Sequence, residues 1–176
     1  MTFAVYKKMI DDEIKLLINK KHDFDKIINE FREKNNVNEL SLKGILNDIL
    51  SQFEVCLKYT YISKKDKKLI SAIKYANNIK KHSKSLFSYS LYSKGLYPSN
   101  NLYPSNYLFP SSFRIWWNEL PLDDDEYEYQ YKCYNKKLLN KDLPKSIDVI
   151  YDIIIIGCDN YERNSKKGRA RNYKKK

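Results

Sequence analysis

The chain contains few of the residues on which several protein classes depend. Its 176 residues include only four glycines and five prolines, which excludes collagen-like and linker-like compositions. The three cysteines are odd in number and far apart, so neither a disulfide framework nor a CxxC metal knuckle is available. The aliphatic run 153–156 is far shorter than the roughly 20 residues that span a bilayer, and the N-terminus lacks an apolar signal core. We therefore expect a soluble, cytoplasmic protein that does not contact membranes.

Several catalytic signatures are also missing from the sequence. It contains no Walker loop, dinucleotide fingerprint, GxSxG elbow or HExxH pair, which removes the kinase, NTPase, hydrolase and zincin classes. The acidic cluster 123–128 lacks the glycine-spaced ligands of a calcium loop, so it is interpreted as a surface loop. We predict no metal and no cofactor.

Positive charge is abundant and unevenly distributed. The formal net charge is +11, but eight of the 33 Lys and Arg residues lie in 163–176, which holds no acidic residue, leaving 25 basic against 22 acidic residues elsewhere. Such a run suits sequence-independent phosphate contacts, and a solubilising arm is the alternative. We expect the segment to be disordered when alone. Within this segment, the cations predicted to bind nucleic acid are Arg163, Lys166, Lys167, Arg169 and Arg171.

Hydrophobic periodicity predicts a single helical domain over 1–162. With 42% hydrophobic residues the chain can build a core. Apolar residues recur at helical spacing, most clearly from Leu42 to Leu57 after a Ser41 cap. The final apolar stretch suits a helix by its spacing and a strand by its β-branched residues, and we favour the helix. Helices are predicted from Thr2, over Asp23–Lys34, from Ser41, over Lys65–Phe87, over Tyr127–Leu139 and from Pro144.

A Tyr/Pro-rich insertion of about 88–125 interrupts this pattern. It contains three hexads, GLYPSN, NLYPSN and YLFPSS, in which each proline disfavours a regular helix or a central strand. The following FRIWWNELP resembles a short strand, which would place Trp116 and Trp117 on opposite faces. The predicted fold is therefore mainly α, a bundle of four or five helices with an irregular insertion and a disordered basic C-terminal tail.

One helical face combines groups that suit RNA chemistry. Lys74, Asn78 and His82 are spaced i, i+4, i+8. A cation and an amide can hold a phosphate while an imidazole moves a proton, which is what attack by an RNA 2′-hydroxyl on its own phosphodiester requires. The same spacing also fits an ordinary solvated helix face. A cysteine paired with His82 is another alternative, although all three cysteines lie in apolar surroundings where thiols are usually inert.

The stretch LISAIKYANNIKKHS resembles the motif helix of HEPN-type domains. In that pattern an Arg, often followed by Asn, precedes His by about four to six residues. Asn77 stands at the Arg position here, with Asn78 after it and His82 at the His position. Active members form a metal-independent endoribonuclease site, usually between two subunits, so the resemblance implies a homodimer. Asn77 cannot make the bidentate contact with phosphate that a guanidinium makes. Lys74, Lys80 and Lys81 are the nearby cations predicted to contact phosphate in its place.

The resemblance implies an RNA-engaging protein of a prokaryotic defence, toxin-antitoxin, CRISPR-linked or phage counter-defence system. Its catalytic form is a metal-independent endoribonuclease with His82 as general acid or base and Asn77 and Asn78 beside it. The alternative is a non-catalytic binding protein, such as an inhibitor, antitoxin or effector subunit, that contacts a protein or a nucleic acid. Loss of the motif Arg favours this alternative.

Overall fold

The described residues form five α-helices and one small sheet. The computed structural model describes residues 3–34, 36–79, 85–90, 114–122 and 125–173, with side chains for all of these except 3, 4, 6, 125 and 160–173. Among the described residues, no helix has the length and apolar composition needed to cross a membrane. The elements are α1 (Phe3–Lys34), α2 (Glu39–Cys56), a 3₁₀ turn (Leu57–Tyr59), α3 (Lys67–Ile79), β1 (Phe87–Ser90), β2 (Arg114–Trp117), a second 3₁₀ turn (Asp125–Tyr127), α4 (Glu128–Lys137) and α5 (Leu143–Tyr173).

Helix α1 is a single helix of 32 residues, where the sequence predicts two helices meeting near Asp23. Leu17, Phe24 and Phe31 are all buried and recur every seven residues, so one apolar stripe continues across the predicted break. Lys21 also pairs with Asp25 one turn later, at 2.6 Å between Nζ and Oδ2. No glycine or proline interrupts the segment, and the predicted division was wrong.

Helix α2 packs antiparallel on α1 after a short connection. Asn38 caps it, because its Oδ1 accepts a hydrogen bond from the Ser41 backbone N–H at 3.1 Å. The predicted Ser41 cap was therefore three residues late. Near the far end of α2, Gln52 Nε2 donates to the backbone oxygen of Glu13 on α1 at 3.1 Å. This contact joins the C-terminal part of one helix to the N-terminal part of the other.

The fourth predicted helix does not extend to Phe87. Described helix α3 covers Lys67–Ile79, residues 80–84 lie outside the described ranges, and Phe87 begins strand β1. Strand β1 pairs antiparallel with β2, so that Phe87 faces Trp117 and Ser90 faces Arg114. The insertion of about 88–125 is therefore not irregular throughout, because its residues 88–90 and 114–117 belong to a sheet. Phe87 and Trp117 form an aromatic pair across the two strands. The hexads lie outside the described residues.

The strand prediction around the two tryptophans is confirmed. Trp117 is fully buried, whereas Trp116 on the opposite face is half-exposed. The outer edge of β2 meets the turn between α4 and α5, where Asn140 N donates to the Trp117 oxygen at 3.0 Å. Asn140 has φ of 58°, a conformation that Asn adopts more readily than most residues. This turn covers the sheet edge.

An aromatic cluster joins the sheet to α3 and α4. The Tyr134 ring on α4 lies edge-on to Trp117, with centroids 6.4 Å apart, and tilted against Tyr75 of α3 at 5.8 Å. Its hydroxyl donates to the backbone oxygen of Asn118 at 2.6 Å. Burial holds the pKa of Tyr134 well above its usual range, so the hydroxyl stays protonated. The cluster is part of the continuous core that all five helices share.

Helix α5 closes the bundle and confirms the helical interpretation of the last apolar stretch. Lys21 of α1 pairs with Asp148 of α5, with Nζ 2.8 Å from Oδ1. Farther along, the Tyr61 backbone N–H donates to the Gly157 oxygen at 3.0 Å. The described α5 backbone continues to Tyr173 and so includes most of the basic segment 163–176. Extending an existing helix needs no new nucleus, which the segment alone would have to form.

Candidate functional site

Three of the predicted site residues lie on α3 and fall inside the described ranges. Lys74 is exposed, Asn78 is half-buried and Asn77 is buried, with only 4% of its surface exposed. The structure gives no placement for Lys80, Lys81 and His82, which lie outside the described residues. The tail cations Arg163, Lys166, Lys167, Arg169 and Arg171 belong to the α5 backbone, and their side chains lie outside the described part.

A cleft of about 300 Å³ brings the three α3 residues together with residues from two other helices. Its floor is apolar and comes from α2 and α3, whereas its rim is polar. We call it the α2–α3–α4 cleft. It is lined by Leu50, Phe53, Glu54, Leu57, Lys58, Ile73, Lys74, Asn77, Asn78 and Gln130.

Asn77 is buried because α3 is covered on two sides. The predicted core stripe of α3 includes Ala72, Ile73, Ala76 and Ile79, and all four are buried. Tyr75 is buried as well, because α4 packs on a second face of α3, where its Tyr131 and Tyr134 contact the Tyr75 ring. Asn77 therefore lies in the packed part of the bundle and not on a solvated face.

The Asn77 amide is held by a carboxylate. Its Nδ2 donates to Glu54 Oε2 on α2. A carboxylate can only accept, so the amide nitrogen must face Glu54, and the amide oxygen must point away from it. That oxygen, Oδ1, is buried and has no hydrogen-bond partner among the described residues. Asn77 therefore cannot act as the freely reaching phosphate ligand that the motif position would require.

Two cations and one carboxylate define the charge of the cleft. Lys58 and Lys74 are exposed, and neither forms an ion pair within the described part of the chain. Glu54 is also exposed, so the three ionisable side chains leave a net charge of about +1 at neutral pH. Gln130 of α4 adds a second buried amide oxygen that has no partner among the described residues. The cleft thus combines cations for an anion with acceptor oxygens for N–H groups.

Sequence reasoning did not identify Glu54, Lys58 and Gln130 as site residues. Glu54 and Lys58 are separated by one helical turn, but they precede the α3 motif by about 20 residues in the chain. Gln130 follows the motif by more than 50 residues. No local pattern connects them, since only the packing of α2 and α4 against α3 brings them to one cleft.

The three cysteines are core residues. Cys56, Cys133 and Cys158 form no disulfide and are all buried. Burial raises the pKa of the Cys56 thiol to about 11, so it is protonated and unreactive at neutral pH. Among the described residues, no group of three His, Cys, Asp or Glu side chains is arranged to hold a metal ion.

Comparison with known proteins gives no relative for this chain. No protein-family model matches it, and neither the curated proteins nor the solved structures contain a match.

Proposed function

We propose that this protein engages RNA at the α2–α3–α4 cleft, with Lys58 and Lys74 against backbone phosphates. The observation that carries the proposal is the placement of these two exposed lysines at the polar rim of the cleft, where they have no carboxylate partner among the described residues. Lysines free of ion pairs contribute most to phosphate binding, because no internal bond must break first. The amide of Asn78 lies beside them as a further donor.

Two sequence features support a nucleic acid as the ligand, and the first of them favours RNA. The cleft includes Lys74, Asn77 and Asn78, the part of the HEPN-like stretch that the structure describes. The basic segment 163–176 adds eight cations that can hold a nucleic-acid backbone without reading its sequence. The link to prokaryotic defence and toxin-antitoxin systems rests on the HEPN resemblance alone.

The proposal is tested by binding of a labelled single-stranded RNA across a range of salt concentrations. Neutralising both lysines, in Lys58→Gln with Lys74→Gln, should weaken binding and reduce the slope of log affinity against log salt by about 0.7 per lysine. Lys43→Gln is the matched control, because Lys43 is an exposed lysine of α2 outside the cleft. Equal binding by the double variant and the control would contradict the proposal.

The same incubation, kept in EDTA and followed on a gel, separates the catalytic form from the binding form. Cleavage that persists in EDTA and disappears in His82→Ala supports a metal-independent endoribonuclease, because the 2′-hydroxyl mechanism needs a base and positive charge but no metal. Intact RNA under every condition removes the enzyme while leaving the binding proposal in place.

A non-catalytic RNA-binding protein is the second candidate, and the burial of Asn77 favours it. A nuclease of the HEPN type needs a group at this position that reaches the phosphate. Asn77 instead donates to Glu54 and is 96% buried, because 4% of its surface is exposed. Binding without cleavage in the experiment above is the outcome that this candidate predicts.

A further inference from the structure

We infer that the α2–α3–α4 cleft reads a base of the bound RNA and that the base it prefers is guanine. This inference rests on the proposed RNA binding and adds specificity to it. The lysines of the cleft account for phosphate contacts, which carry no sequence information. The other polar residues of the cleft include acceptors that phosphates cannot satisfy.

Three residues that line the cleft, one from each of three helices, carry acceptor groups. Glu54 of α2 provides a carboxylate, which offers about four lone-pair positions and uses one of its oxygens to accept from Asn77. Asn77 Oδ1 of α3 and Gln130 Oε1 of α4 are buried and have no partner among the described residues. A buried acceptor that stays unpaired is destabilising, so a ligand that donates to it is favoured.

Guanine is the base that supplies the matching donors. Its Watson–Crick edge presents N1–H and the N2 amino group side by side, which suits a carboxylate. Adenine and cytosine each present one amino group beside an acceptor, and uracil presents one imino N–H between two acceptors. A base splayed out of a single strand can offer this edge to a protein pocket. Three acceptors in one cleft therefore favour the base with the most donors.

Access to the cleft depends on exposed side chains. The two amide oxygens are covered in the structure, whereas Glu54, Lys58 and Lys74 at the same cleft are exposed. A base can reach the two amide oxygens only after the side chains that cover them have moved.

The test uses single-stranded U-rich RNA octamers that carry one central G, A, C, U or inosine. Binding is measured in EDTA at low salt with the full-length protein. The G octamer should bind about tenfold more tightly than the U octamer, and inosine, which lacks the N2 amino group, should lose a large part of that preference.

Glu54→Gln distinguishes base reading from simple electrostatics. Removing a negative charge should raise the affinity for every octamer, and loss of the carboxylate should at the same time reduce the preference for G. The Gln oxygen can still accept from Asn77, so the local packing is preserved. Asp48→Asn is the matched control, because it makes the same charge change at an exposed position of α2 outside the cleft and should leave the G preference intact.

Equal affinity for all five octamers in the unaltered protein overturns the guanine inference and leaves RNA binding standing. A preference for G that Glu54→Gln does not reduce also overturns it. Failure to bind any octamer overturns the proposed RNA binding itself and the guanine inference with it.

Discussion

Cys56 illustrates how burial sets the chemistry of a single residue. Its side chain is 1% exposed, and Gln52 Nε2 lies 3.8 Å from its sulfur. Burial raises the pKa of the thiol from 9.0 to about 11, and the nearby Cys158 and Glu13 act in the same direction, while the Gln52 hydrogen bond opposes them. The thiol is therefore a small apolar core group at physiological pH.

This pKa predicts how the stability of the protein depends on alkaline pH. Because the folded pKa lies above the unfolded value, the native state keeps the proton between about pH 9 and pH 11 while the unfolded state loses it. The thiol's contribution to the free energy of unfolding should be complete below pH 9 and should decline as the pH rises toward 11. Urea titrations at pH 7, 9 and 10.5 measure this.

Cys56→Ala provides the control for the alkaline loss. Tyr134, whose pKa is also raised by burial, contributes a similar loss at higher pH in both proteins. The variant should be less stable at pH 7, because a buried atom is removed, but should lose less stability than the parent between pH 9 and pH 10.5. An identical loss in both proteins would show that the Cys56 thiol does not titrate differently on unfolding.

The contact between α5 and the segment after α2 depends on a glycine. A Cβ at Gly157 would lie 2.7 Å from the Tyr61 backbone oxygen and still closer to the Thr60 methyl group. The Tyr61 N–H donates to the Gly157 oxygen, so this backbone cannot withdraw without losing a hydrogen bond. Glycine therefore allows two backbones to meet where any side chain would separate them.

Gly157→Ala should therefore destabilise the protein, by about 1 to 3 kcal/mol in the free energy of unfolding, since overpacking outweighs the gain in helix propensity. Gly44→Ala is the matched control within α2, because no atom lies within 4 Å of its added Cβ. That change should stabilise by roughly 0.5 to 1 kcal/mol. Chemical denaturation measures both, and stabilisation by both would contradict the close approach at Gly157.

Helical periodicity predicted the elements well where one face of a helix is buried. The stripe from Leu42 to Cys56 matches α2, and the interpretation of the final apolar stretch as a helix matches α5.

The predicted helix boundaries were wrong where the local sequence signals were weak. Asp23 resembles a helix start, but the stripe of α1 continues through it, and Phe87 fits a helical spacing although it pairs with Trp117 in a sheet. Strand pairing across the insertion is non-local and leaves no periodic signal at Phe87.

Three of the six polar residues of the cleft were predictable from helical spacing. Lys74, Asn77 and Asn78 are neighbours on one helix, so their spacing brought them together before any fold was known. Glu54 and Gln130 reach the cleft through helix packing, which spacing cannot encode. The burial of Asn77 was also unpredictable, because it depends on α4 covering a face of α3 that carries polar residues.

At the scale of the whole molecule, positive charge is divided between two regions. Residues 163–176 contain eight basic residues and no acidic residue, whereas the rest of the chain has 25 basic and 22 acidic residues. Helix α5 carries the first eleven residues of this segment as a continuation of the helix that packs in the bundle. The basic segment therefore follows directly on the helix that packs in the bundle.

This division predicts separate contributions to RNA binding. Replacing all eight Lys and Arg residues of 163–176 with Gln, in the full-length chain, should reduce the salt slope by about 0.7 for each cation that contacts a phosphate. Because these contacts are sequence-independent, affinity should fall by the same factor for the G and U octamers. The preference for G should persist, since it resides in the cleft. Loss of the preference together with the charge would place base reading in the basic segment and contradict the assignment to the cleft.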